Sequence, residues 1–196
     1  MWADVVIRNE YRLPDKFDAE DIIVDIGSHV GSFAKACLDR GAGLVICFEP
    51  DGQNFEDLSY NMKAYTERTV LIRAAAWASG DVLPFARPLG AEHTGGGSVV
   101  SGGDNPTLVR AVDAVAMLDA VIGVKEIRLL KLDCEGAEWE LLAKPDLYDR
   151  ADAIAMEWHE NTASADLDGL RSRLEKRYQK IEVKGNVTGL GWLFAS

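Results

Sequence analysis

The sequence predicts an α/β fold built on a mainly parallel sheet, and three observations lead there. Short apolar, strand-like runs alternate with segments whose apolar residues recur at helical spacing. The strand-like runs are mostly continuous rather than alternating, as strands covered on both faces are. The 196 residues are 47% apolar and 27% charged, an ordinary globular composition, and a chain this long buries roughly 70% of its extended surface. That is enough for one core, so a single domain over residues 1–196 is expected.

Ile22 to Ile26 form the first run, with Asp21 before it and Asp25 within it. From Val30 the spacing changes, and Val30, Phe33, Ala34, Cys37 and Leu38 share one helical face until Gly41 and Gly43 stop the helix. Leu44 to Phe48 make a second buried strand, closed by the turn Glu49-Pro50-Asp51-Gly52. Phe55, Leu58, Met62 and Tyr65 form a second amphipathic stripe, and Val70 to Ala75 read as a third strand. Residues 79–106 are rich in glycine, with a short strand expected at Val82 to Phe85. A segment of that length inside a compact domain is usually functional, which points to a lid or substrate loop.

Regularity returns with a strand over Leu108 to Val115 and a short helix over Met117 to Ile122. Ile127 to Leu132 is a buried strand, Ala137 to Leu142 begins a helix, and Ala153 to Met156 is another strand. Leu167, Leu170 and Leu174 make a helical stripe. Tyr178 to Val183 and Leu190 to Phe194 then close the chain around Lys184-Gly185-Asn186, a connection short enough for an antiparallel pair at the sheet edge.

Composition also excludes. No apolar run approaches the ~18–20 residues of a membrane span, and the N-terminus lacks the basic, apolar and small-residue pattern of a secretory signal. With 21 basic and 32 acidic side chains the net charge is −11, which disfavours general nucleic-acid binding. Cys37, Cys47 and Cys134 are odd in number and lack paired metal-ligand spacing, so reduced thiols in a cytoplasmic protein are expected.

The most informative stretch is Val24-Asp25-Ile26-Gly27-Ser28-His29-Val30-Gly31-Ser32-Phe33, a buried strand running into a helix. Gly27 permits backbone conformations closed to other residues and a close approach by a ligand. The free N–H groups at the helix start can hold a polar or anionic group. Glu49 follows at the end of the second strand, where a carboxylate can accept hydrogen bonds from both hydroxyls of a ribose. The pattern is not G-x-G-x-x-G, because His29 and Ser32 replace two of its glycines. Asp25 would repel a pyrophosphate and suits a cationic ligand with an amino group, and S-adenosylmethionine has that chemistry. Gly27 and Gly31 could instead serve only tight packing, and Asp25 only a helix cap.

The ordered motifs D-I-G-S-H-V-G-S-F, C-F-E-P-D, L-L-K-L-D-C-E-G-A-E-W-E-L-L and A-M-E-W-H-E, with the segment ending Met117-Leu118-Asp119, resemble the FkbM-type family of S-adenosylmethionine-dependent methyltransferases. The likeness runs from about Ile22 to His159. It implies a Rossmann-like methyltransferase sandwich: a mostly parallel seven-stranded sheet with an antiparallel edge strand near the C-terminus. It also implies that Asp25, Gly27 and Gly31, with Ser28 and His29 in the same turn, line the methionine end of the cofactor. Glu49 would hold the ribose, Pro50 and Asp51 would shape the adenine edge, and Ala75 and Ala76 would border the adenine.

A second acidic group follows the strand ending at Leu132. Asp133 is expected to face the same crevice as Asp25 and Glu49, because functional groups in such sheets collect at the carboxyl ends of strands. Glu135 and Glu138 follow, and for Glu138 a helix cap competes with chemistry. Glu157 and His159 project to one side of the next strand. An imidazole with a near-neutral pKa could take the proton of an acceptor hydroxyl, so His159, Asp133 and Glu157 are the catalytic candidates. Asp133, Glu157 and His159 could also ligate a divalent cation, although no tight spacing requires a metal and none is expected. His93 is expected to be solvated, and Trp77, Trp139 and Trp158 could wall an acceptor pocket.

The expected activity is methyl transfer to a hydroxyl of a small molecule or glycan, with no nucleic-acid or membrane partner. An NAD-dependent oxidoreductase and a non-catalytic cofactor-binding module are the alternatives.

Overall fold

Five consecutive buried residues make β1 (Ile22–Ile26), and such an unbroken apolar run needs neighbours on both sides and cover on both faces. In the computed structural model β1 pairs in parallel with β2 (Leu44–Phe48) and, on its other side, with β7 (Leu129–Leu132). The structure describes residues 2–87, 95–100, 106–143, 145–160, 162, 164–185 and 189–196. With β3 (Thr69–Ile72), β8 (Ile154–His159), β9 (Ile181–Gly185) and β10 (Leu190–Ala195), they form a seven-stranded sheet in the order β3-β2-β1-β7-β8-β10-β9. The strands are parallel as far as β8, and β10 runs antiparallel to both β8 and β9. The reversed strand thus lies one place in from the edge, which β9 occupies.

Side chains of a strand alternate between its faces, and β1 feeds two cores. Ile22, Val24 and Ile26 join Phe48, Leu118, Leu130 and Met156 on one side. Ile23 joins Phe33, Cys37, Leu38 and Val45 on the other. Helices α2 (Ser32–Asp39), α3 (Gly52–Asn61), α4 (Ala114–Ile122) and α7 (Leu167–Leu174) follow the strands. Asp51, Asp113 and Asp166 cap α3, α4 and α7 with their side chains, and each satisfies N–H groups that the first helical turn leaves open.

The structure departs from the sequence reading at several places; one is β9, which runs Ile181–Gly185, so Tyr178 lies before the strand and Lys184 and Gly185 belong to it rather than to the closing turn. The run Val70 to Ala75 is not one strand. β3 ends at Ile72, and β4 (Ala75–Trp77) enters a second sheet of order β4-β6-β5, with β5 (Asp81–Phe85) and β6 (Thr107–Asp113). β6 stops before Val115 because the Asp113 side chain accepts from Ala116 N–H and starts α4. Ile127 forms only an isolated bridge with Ala151 ahead of β7. The helix expected at Ala137 to Leu142 is a single turn, α5 (Glu138–Leu141). Two further short helices, α1 (Trp2–Val6) and α6 (Pro145–Tyr148), had no periodic signal. Within the glycine-rich segment, 88–94 and 101–105 lie outside the described residues, and His93 with them; Asn186 of the closing turn does too. No helix among the described residues is long and apolar enough to cross a membrane.

Candidate active site

The carboxyl ends of β1, β2 and β7 open into a cleft of about 760 Å³, counting the part open to solvent, a size that suits small-molecule ligands. Gly27, Ser28 and His29 form one wall, and Glu49, Pro50 and Asn54 another. Ile26, Phe48, Ala75, Ala76 and Phe85 supply apolar lining. Lys131, Asp133 and Cys134 complete the rim towards β8, with Gly95, Gly97 and Val99 from the glycine-rich segment and Val5 and Tyr11 from the N-terminal one. Ser98, between Gly97 and Val99, ties that segment down by donating from Oγ to Glu135 O at 2.7 Å.

Glu49 is held by main chain. Its Oε2 accepts from His29 N–H and its Oε1 from Asp51 N–H, each at 2.8 Å. Burial pushes its carboxyl up to about 7, against the pull of those two amides. Each carboxylate oxygen has lone pairs to spare, so both can still accept from a ligand. Burial also lowers the His29 pKa.

The turn after β1 is shaped by close contacts. Gly27 has φ +79°, and a Cβ there would fall 1.8 Å from Asp133 O. Gly31, with φ +86°, faces Leu58 Cδ1, which a Cβ would approach to 2.7 Å. Both glycines therefore serve packing, and Gly31 does not reach the cleft. Neither does Asp25, contrary to the expectation that it lines the methionine end. Asp25 is fully buried beneath the turn, with Lys131 Nζ 3.0 Å from its Oδ1. Neither of its oxygens receives a well-directed hydrogen bond among the described residues, and burial raises its pKa. It caps nothing either, since α2 starts at Gly31 without a side-chain cap. Asp51 is not part of the cleft lining and is instead the α3 cap, paired with Arg87 at 2.5 Å.

Asp133 lies on the cleft and is not a helix cap, since α5 has no side-chain cap at its start. Its Oδ2 accepts from Tyr11 Oη at 2.8 Å. Glu138 does not cap α5 either but ties down the turn ahead of it, accepting from Cys134 N–H and Gly136 N–H at 2.8 Å each. It also stands 3.3 Å from His159 Nδ1, while Glu135 stands 3.3 Å from His159 Nε2. Burial works to lower the His159 pKa, but Glu138, Glu135 and Asp133 outweigh it and lift the imidazole to about 9. The expectation of a near-neutral imidazole is therefore corrected: His159 is a cation at neutral pH and holds no free lone pair for a proton. Glu157 is instead the group poised near neutrality. Burial, and then the Asp133 charge, push it to about 7.

Asp133, Glu135 and His159 also place three ligand atoms within 4.8 Å of one another, with Glu135 in the place that the sequence reading gave Glu157. Trp139 and Trp158 are buried in the core and Trp77 lines a separate depression with Asp113, so none of them walls the cleft. Cys37, Cys47 and Cys134 are free, the first two buried and the third half-buried on the rim.

Two site residues escaped the sequence reading. Tyr11 packs edge-on against Phe33 and Trp192, and nothing local in its segment marks it. Lys131 had a visible signal: a lysine inside an apolar strand is rarely buried without a purpose.

The family model for the FkbM methyltransferase domain matches residues 25–180, which takes in β2, β7 and the carboxyl end of β1. The chain belongs to the FkbM methyltransferase domain family. Among solved structures, a methyltransferase FkbM from Methylobacillus flagellatus KT superposes with a TM-score of 0.63 at 17% identity, covering 100% of this chain and 48% of that one. The chain thus spans about half the length of that FkbM protein. An rRNA methylase from Streptococcus thermophilus gives 0.54 at 13% identity, over 96% of this chain and 92% of that one. TYW2 from M. jannaschii, solved in complex with AdoMet, gives 0.54 at 12%, over 99% and 75%. At these identities the likenesses establish the Rossmann-like methyltransferase fold. No curated protein sequence matches the FkbM-family chain described here.

Proposed function

We propose that this chain is an S-adenosylmethionine-dependent methyltransferase acting on a hydroxyl of a small molecule or glycan, with the nucleoside in the cleft over β1 and β2. Glu49 carries the reading. It is a carboxylate at the end of the second strand, buried at the cleft wall, anchored by two backbone amides and still able to accept two hydroxyls. The lining fits the rest of such a ligand: Ile26, Phe48, Ala75, Ala76 and Phe85 offer apolar surface to a base. At the other end, the start of α2, which has no side-chain cap, offers N–H groups to a carboxylate. The family membership and the fold support the same chemistry.

When bound, S-adenosylmethionine supplies a methyl already activated by a sulfonium. The protein's task is then alignment and removal of one proton. Glu49 holds the sugar. Asp133, fixed by Tyr11, faces the acceptor from the rim. Asp133, the acid on the cleft lining, takes the hydroxyl proton. Glu157 and His159 are not part of that lining, and the His159 cation behind it keeps Glu135 and Glu138 from repelling one another.

Calorimetry separates this function from its rivals. The expected result is saturable binding of S-adenosylmethionine and S-adenosylhomocysteine with none of NAD, and labelled-methyl transfer to hydroxylated acceptors within a panel of small molecules and glycans. Tight NAD binding, or cofactor binding without transfer to any acceptor class, would refute it.

A further inference from the structure

Lys131 stands in β7 directly beside Asp25 of β1 in the sheet register, with 3% of its surface exposed. Its Nζ donates to Gly27 O at 2.6 Å and reaches Ile26 O at 3.4 Å. It lies 3.0 Å from Asp25 Oδ1 and 3.9 Å from Asp133 Oδ2, and the rings of Tyr11 and Phe33 cover it. A buried ion pair seldom stabilises a fold more than apolar side chains of the same volume would. Its value here lies in what it holds in place.

What it holds is the turn. The Gly27 carbonyl is drawn down onto Lys131, while the N–H groups of Gly27 and Ser28 are drawn onto Phe48 O at 3.1 and 3.0 Å. His29 N–H goes to Glu49. The turn is pinned from β7 on one side by the Lys131 charge, and from β2 on the other by Phe48 O and the Glu49 carboxylate.

We propose that Lys131 is a positioning residue for the amino-acid end of the cofactor, fixing the Gly27 carbonyl and the Asp25 charge so that the turn presents Ser28, His29 and the start of α2 in one arrangement. The proposal rests on the cofactor reading above. The nucleoside end, held by Glu49 and the apolar walls, does not depend on Lys131.

The test compares two ligands that share the nucleoside and sulfur: S-adenosylhomocysteine, and 5′-methylthioadenosine, which lacks the amino-acid end. Lys131→Met leaves Asp25 charged and alone in the interior, a cost that can unfold the protein. The double variant Lys131→Met/Asp25→Asn removes both charges and carries the test in that event. The expected result is a loss of at least about tenfold in S-adenosylhomocysteine affinity, with 5′-methylthioadenosine kept within about threefold. The same loss for both ligands, or wild-type affinity in the double variant, overturns the proposal. If the wild-type protein binds neither ligand, the cofactor reading falls and takes the proposal with it; if it binds both and the variants do not discriminate, the proposal alone falls.

Discussion

At the end of β2, Glu49 is fastened by two main-chain amides, and the neighbouring turn is fastened by main-chain bonds to Phe48 O. At the ends of β7 and β8, Asp133 is fastened to Tyr11 and His159 stands between Glu135 and Glu138, side chain to side chain, with Glu138 alone also held by two main-chain amides. The first region is set by local backbone geometry and has little freedom. The second is a balance of charges in which each group sets its neighbours' protonation, and it can be retuned by one substitution.

The comparison breaks most sharply at Gly27, where the two regions touch. Alanine there adopts a left-handed conformation at a cost of roughly 1–2 kcal/mol. Its Cβ also collides with Asp133 O at 1.8 Å, and forcing the backbones apart adds about 1–3 kcal/mol. For a chain of this size the sum lowers Tm by about 5–15 °C. Gly80→Ala is the control, since a Cβ there meets nothing within 4 Å, and its Tm should stay within about 1 °C of wild type. Equal melting of the two variants would show that the turn and β7 are not in rigid contact.

The main-chain region was largely legible in the sequence, because what builds it is local. Apolar runs and helical spacing located β1, α2, β2 and α3, and the distance from Asp25 to Glu49 located the second acid. The break between β3 and β4 falls at Arg73 and Ala74, where one arginine in an otherwise apolar run makes no turn signal, and only pairing with β6 shows that the chain has changed sheets. The charge-balanced region was half legible. Asp133, Glu157 and His159 were found by their place at strand ends. Their protonation was not, because it depends on contacts between β7, α5, β8 and the N-terminal segment. Asp25 was assigned to the ligand when its partner is Lys131, the residue opposite it across the sheet and distant in the sequence. Pairings of that kind have no local pattern.

A sharper distinction comes from pH. Binding that uses ionised Glu49 should weaken by about tenfold per pH unit below 7 and level off above it, because burial places this carboxyl at about 7 in the free protein. S-adenosylhomocysteine titrations from pH 5.5 to 8.5 measure the slope, and Glu49→Gln should bind more weakly with the slope gone. A flat wild-type profile would mean that the ribose is not held by this group.

The smallest expected effect belongs to the charge-balanced region and appears in stability rather than binding. In the unfolded chain His159 titrates near 6.5 and in the folded one at about 9, so the folded state holds its proton more tightly. That contribution is complete below pH 6.5 and disappears as pH rises through 9. Glu157 and Glu49 also bind protons more tightly when folded, but their window runs from 4.5 to about 7, so the interval from 7 to 9 isolates the histidine from both of them. Urea midpoints should fall between pH 7 and pH 9 in the wild type, and His159→Gln should make the fall shallower, the remainder belonging to Cys37, Cys47 and Cys134, whose thiols burial holds protonated. The same variant should slow methyl transfer while leaving S-adenosylhomocysteine affinity in place, because Glu135 and Glu138 lose their counter-charge and Glu49 does not. If the urea midpoint of the variant still falls over this interval as steeply as that of the wild type, the imidazole is not the cation that balances Glu135 and Glu138 behind the rim.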